Sequence, residues 1–125
     1  MEPRLRIAVA VEEQELKRSS TAWLSGAYDI CRVSRGRHFA ADLIAARPDL
    51  IVLEAIHPTE ASWLASWLRS QRALANKPVL LILPFGPAPK KALKGVRYVL
   101  RPVRRPSLRL HVGRLLRAAT YCRPR

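Results

Sequence analysis

At 125 residues, 49% of them hydrophobic, the chain is sized for one compact domain with a core of its own, and it offers no run of about 18 apolar residues that could span a membrane. Its formal net charge of +14 is unevenly placed: all nine acids fall in residues 1–60 beside eight Lys or Arg, whereas residues 61–125 hold fifteen Lys or Arg and no acid. Cys31 and Cys122 are too few for a disulfide framework, and Met1-Glu2-Pro3-Arg4 lacks a secretory pattern, so a cytoplasmic protein with reduced thiols is expected.

The first apolar run, Leu5–Val11, is expected to be a strand, and it ends on the acid pair Glu12-Glu13. A helix is expected from about Gln14 to Ser25, with Leu16, Trp23 and Leu24 inward and Gly26 as its stop. Tyr28–Ser34 alternates loosely as a second strand closed by Arg35-Gly36. His38–Arg47 is a short helix with Phe39, Leu43 and Ile44 on one stripe. Asp49–Leu53, bounded by Pro48 and followed by Glu54, is an unbroken aliphatic strand of the kind buried on both faces of a parallel sheet.

After Pro58, Thr59 is expected to cap a helix reaching about Leu74, with Trp63, Leu64, Trp67 and Leu68 at helical spacing. Pro78 ends that unit, and Val79–Leu83 is a fourth buried strand. Pro84-Phe85-Gly86-Pro87-Ala88-Pro89 is a stiff loop. Val96–Leu100 is a short fifth strand. A last helix from about Ser107 to Ala119 aligns Leu108, Val112, Leu115, Leu116 and Ala119, leaving Leu110, Arg114 and Arg117 outward. Strands alternating with helices imply a parallel sheet covered on both faces. Residues 1–119 are expected to form the domain and 120–125 a C-terminal tail.

Ligand sites in open α/β sheets lie at the carboxyl ends of strands, which is where Glu12, Glu13 and Glu54 fall. Five segments in order carry a resemblance: Ile7–Glu13, Gly26 through Gly36, Arg47–Glu54 with Pro58 beyond, Pro78–Leu83, and Tyr98-Val99-Leu100-Arg101-Pro102. Together they resemble a CheY-like receiver domain of the bacterial response-regulator family. The resemblance implies a flavodoxin-like three-layer α/β sandwich with five parallel strands and helices on both faces.

In that family an acid pair and a phosphoacceptor Asp hold Mg²⁺, and a hydroxyl residue and a Lys bind the phosphoryl oxygens. Position by position, Glu12 and Glu13 match the acid pair, Glu54 the acceptor, Leu83 the hydroxyl residue, Arg101 the Lys, and Tyr98 the switch aromatic. The match is degenerate. Leu83 has no hydroxyl, all three acids are one methylene longer than Asp, and Mg²⁺ demands near-ideal octahedral geometry at about 2.1 Å. Arg101 brings a planar fork in place of a point ammonium. No bound metal or cofactor is therefore expected.

The expectation is a pseudo-receiver: a protein-interaction module in bacterial signal transduction, independent of phosphorylation and without enzymatic activity. Two readings of Glu54 and Arg101 stay open, a structural ion pair in an inert pocket or an imitation of the phosphorylated state. The segment from Leu83 to Gly95 looks shorter than is usual in the family, which leaves room for a short helix at Lys90–Lys94. The following face should be strongly basic, through Lys90, Lys91, Lys94, Arg97, Arg104, Arg105, Arg109, Arg114 and Arg117. Such a face suits an anionic partner, so the alternative function is a nucleic-acid-binding module; an Arg-rich genome accounts for Arg over Lys but not for the missing acids. Because arginines would face arginines, pairing of two copies through that face is disfavoured, leaving a monomer or weak dimer. Trp63 and Trp67 suit helix packing, with a partner surface as the alternative. The histidines and cysteines lack metal-ligand or catalytic spacing.

Overall fold

The computed structural model describes residues 4–12, 14–89 and 93–121. The elements run β1 (Arg6–Ala10), α1 (Gln14–Leu24), β2 (Asp29–Arg32), α2 (Phe39–Ala45), β3 (Leu50–Glu54), α3 (Pro58–Ser70), β4 (Val79–Leu83), β5 (Val96–Leu100) and α4 (Arg105–Tyr121). All four strand pairings are parallel, in the order β2-β1-β3-β4-β5. This is the flavodoxin-like α/β arrangement that the resemblance implies, with the parallel sheet expected from the alternating strand and helix pattern. Every residue of β3 and β4 is buried, because helices cover both faces of these central strands. The edge strands β2 and β5 are only partly buried.

The sheet divides the core into two layers. On one face Ala8, Ala10, Ile51, Leu53, Leu81 and Leu83 pack beneath α2 and α3. On the other Ile7, Val9, Leu50, Val52, Leu80 and Ile82 pack beneath α1 and α4, against Leu108, Val112, Leu115 and Leu116. The two lists alternate along β1, β3 and β4, as the two-residue period of a strand dictates.

Several local expectations differ from the structure. Helix α3 ends at Ser70, and Leu74 is buried from the following turn rather than from the helix. Its N-cap is His57, whose Nδ1 accepts from the Thr59 N–H at 3.3 Å, so Thr59 sits inside the helix. Helix α2 stops at Ala45 because Arg47 adopts φ +49°, the left-handed conformation that closes many helices. Ile44 is 38% exposed, off the inward stripe of Phe39 and Leu43. The expected helix at Lys90–Lys94 falls largely on residues 90–92, outside the described residues; Leu93 is irregular and Lys94-Gly95 form a turn. The side chain of Leu16 also lies outside them. Helix α4 continues through Tyr121.

Gly95 opens β5 with φ +79°, and a Cβ there would lie 2.8 Å from Nη2 of Arg69. That guanidinium cannot retreat freely, because Nη1 donates to the Lys77 carbonyl at 2.8 Å and Nη2 to the Lys94 carbonyl at 2.7 Å. These bonds tie α3 to the approaches of β4 and β5. The left-handed penalty alone is about 1–2 kcal/mol for a residue with a Cβ. Gly95→Ala is therefore expected to lower unfolding stability by about 2 kcal/mol in urea melts, with lost Arg69 bonds adding to that backbone cost.

Candidate functional site

The carboxyl ends of β1, β3, β4 and β5 meet at one edge of the sheet because β3 pairs with both β1 and β4, and β4 with β5. Glu54, the last residue of β3, is only 4% exposed. Its Oε1 accepts from the Glu12 N–H at 3.0 Å. Its Oε2 lies 3.4 Å from Nη1 of Arg101, just past β5. The Arg101 side chain is 34% exposed, so the pair consists of a buried carboxylate and a cation reaching in from the surface. The Arg101 N–H donates to the Leu83 carbonyl at 3.0 Å, and the peptide from Arg101 to Pro102 is cis.

Leu83 is fully buried and packs in the core layer beneath α2 and α3. It therefore turns an aliphatic side chain toward α2 and α3 from the last position of β4. Glu12 is exposed, and Glu13 lies outside the described residues. Tyr98, half-buried on β5 opposite Leu81, packs against the same layer, and burial raises its phenol pKa. Among the described residues no group of three His, Cys, Asp or Glu side chains is arranged to hold a metal ion. The family's Mg²⁺ does not fit what is described here, since both Glu54 oxygens are directed at an N–H and a guanidinium.

Arg35 is a site residue that the sequence pattern did not single out. Following β2, it donates from Nη1 to the main-chain carbonyl of Glu54 at 2.8 Å, while Nη2 meets Oε1 of Glu60 on α3. The Arg35 and Glu60 side chains are only 15% and 22% exposed. The other Glu60 oxygen accepts from the Ile56 N–H at 3.3 Å, which makes Glu60 the acidic half of a capping arrangement with His57. The Arg35 guanidinium also sits 5.8 Å from the Phe39 ring centroid. One arginine thus joins the end of β3, the start of α3 and the start of α2.

The basic residues lie where the α4 and β5 assignments put them. Lys94, Arg104, Arg105, Arg109, Arg114 and Arg117 are exposed and Arg97 is partly buried; Lys90 and Lys91 lie outside the described residues. Arg109 also donates from Nε to the Trp23 carbonyl at 3.0 Å, fastening α4 to α1. Leu110 is 47% exposed beside them. The pKa of His111 is lowered by burial first, then by the positive charges of Arg97 and Arg114. A cleft of about 820 Å³ lies away from the acidic site, beside the amino ends of β4 and β5, lined by Asp49, Arg69, Lys77, Gly95 and Ala118 among others.

By sequence, no family model and no curated protein matches the chain. By structure, the fold is that of response-regulator receiver domains. It is similar to the signal receiver domain of a signal transduction histidine kinase from Syntrophus aciditrophicus, at a TM-score of 0.74 and 22% identity, covering 96% of each chain. It is similar also to the chemotaxis response regulator CheY4 of Vibrio cholerae, at 0.72 and 17% identity over 90% of this chain and 98% of that one. A receiver domain of a putative Luxo repressor protein from Vibrio parahaemolyticus gives 0.73 and 19%, covering 94% of each. The chain thus has a CheY-like fold. No helix among the described residues is long and apolar enough to cross a membrane.

Proposed function

We propose that the chain is a pseudo-receiver: a regulatory module of bacterial signal transduction that binds a protein partner without being phosphorylated and catalyses no reaction of its own. The observation that carries this reading is the Glu54–Arg101 pair. In a receiver fold that position is where an Asp would take a phosphoryl group. Here a longer, buried carboxylate is already engaged by an N–H and a cation, and the neighbouring β4 end offers a buried Leu83 in place of a hydroxyl. Such an arrangement supports one fixed state of the site rather than a switch between two. Affinity capture from the native cell tests it. The same protein partner should be retained with and without a phosphodonor and Mg²⁺, and after nuclease treatment. Retention that depends on the phosphodonor would overturn the reading.

A second reading, nucleic-acid binding, is favoured by one observation: α1 and α4 together carry six Lys or Arg against the single acid Glu15. Each neutralised phosphate releases counterions, so binding would be weak, without sequence preference, and would weaken with salt at a log–log slope of about −0.9 per contact. Replacing Arg105, Arg109 and Arg114 with Gln is expected to flatten that slope in fluorescence-anisotropy titrations. Affinity unaffected by salt, or no binding at low salt, would remove this reading.

A further inference from the structure

The cleft beside the amino ends of β4 and β5 lies at the opposite edge of the sheet from Glu54 and Arg101. Its volume, about 820 Å³, falls within the roughly 300–1,000 Å³ of small-molecule sites. The turn after α3, the approach to β5 and the end of α4 wall it. Four cations line it, Arg69, Arg72, Lys77 and Lys94, against one acid, Asp49. That acid is already engaged, because its Oδ2 accepts from the Arg6 N–H at 2.7 Å.

Arg69 is the most telling of the four. It is partly buried, and burial lowers its pKa, yet among the described residues no carboxylate pairs with it. Its bonds to the Lys77 and Lys94 carbonyls use two of the five N–H donors of a guanidinium. The other three have no partner among the described residues. Gly95 admits the group to the cleft wall, since a Cβ there would lie 2.8 Å from Nη2. A planar fork is thus fixed in position with donors to spare, the geometry that suits the oxygens of an anion. Pro78, Leu93 and Leu115 supply an apolar wall beside it.

We propose that this cleft binds a phosphate monoester with an apolar body, its phosphate among Arg69, Arg72 and Lys94 and its body against Pro78, Leu93 and Leu115. The lining selects that chemistry. An uncharged ligand would leave the cations unneutralised, and a bare anion would leave the apolar wall in water. A monoester carries about −1.5 to −2 charge at pH 7, which answers several cations better than a single carboxylate does. Nucleotides and simple aryl phosphates share this chemistry. The inference goes beyond the pseudo-receiver reading and does not depend on the carboxyl-end site being inert.

Titration of the full chain with AMP, phenyl phosphate and inorganic phosphate, read by amide chemical shifts at about 0.15 M salt to screen long-range attraction, tests it. At least one ester should bind severalfold more tightly than inorganic phosphate. AMP ahead marks a nucleotide site; phenyl phosphate equal or ahead marks a site for smaller aryl esters. The shifts should concentrate on residues 69–78 and 93–95. Arg72→Gln/Lys94→Gln, at two exposed positions, should weaken the tighter ester by about tenfold or more, the loss expected for charge-assisted bonds. Arg104→Gln/Arg105→Gln removes the same charge from the basic face and should change affinity by less than about twofold. Esters no tighter than inorganic phosphate, or equal losses in the two double variants, would overturn the proposal. So would shifts centred on α4 or spread over the basic surface, which would mean an adventitious ion only.

Discussion

Arg101→Ala is expected to be among the most damaging single substitutions at the carboxyl-end site. Removing one partner of a buried ion pair costs about 3–5 kcal/mol. Arg101 is one-third exposed and water can enter where it was, so the lower end, about 3 kcal/mol, is expected here. The converse change is milder. Glu54→Gln keeps an oxygen that can accept from the Glu12 N–H, and it leaves a cation that solvent can hydrate. The double variant Glu54→Gln/Arg101→Ala should therefore be more stable than Arg101→Ala alone. Urea unfolding of the three variants checks that order; equal losses in both single variants would show that the pair is not organised around a buried carboxylate.

Arg35→Ala is expected to cost about 2–3 kcal/mol, since it strips a charge-assisted partner from the mostly buried Glu60 carboxylate and removes a hydrogen bond to the Glu54 carbonyl. Its effect should be local as well as global. With Glu60 released, the capping arrangement at Ile56, His57 and Thr59 loses its acidic half, so amide exchange at residues 56–60 should accelerate more than in α4. Arg35→Lys should recover only part of the loss. An ammonium retains charge but cannot span a carbonyl and a carboxylate with a fixed fork, nor stack as well on Phe39. Full recovery with Lys would mean that charge alone matters there.

What the sequence made legible follows from how each signal is written. The aliphatic runs Leu50–Leu53 and Val79–Leu83 announce central parallel strands because nothing polar is tolerated on either face. Grouping Glu54, Leu83 and Arg101 took the resemblance to a receiver domain, and the parallel order β3-β4-β5 does bring their strand ends side by side. The end of α3 was less legible. Gln71-Arg72-Ala73-Leu74 contains no breaker, and Leu74 stays in phase with Trp67, so periodicity runs on although a tight turn carries Leu74 into the core. Trp63 and Trp67 share one spacing, yet only Trp67 is covered, because Phe39 of α2 reaches it and leaves Trp63 outside. Arg35 was unreadable for a different reason. It is one of eight Lys or Arg in residues 1–60, and what distinguishes it is a pair of contacts 19 and 25 positions away. Glu60, three residues after His57, was the available hint, obscured because His is an uncommon cap.

Incubating the wild-type protein with acetyl phosphate and Mg²⁺, and reading covalent phosphate by intact-mass spectrometry, tests the proposal that this receiver fold works without a phosphoryl group. No added phosphate is expected, and none in Glu54→Asp either, because Leu83 still supplies no hydroxyl and Arg101 still projects into the site. Mg²⁺-dependent phosphorylation of the wild-type chain would contradict it.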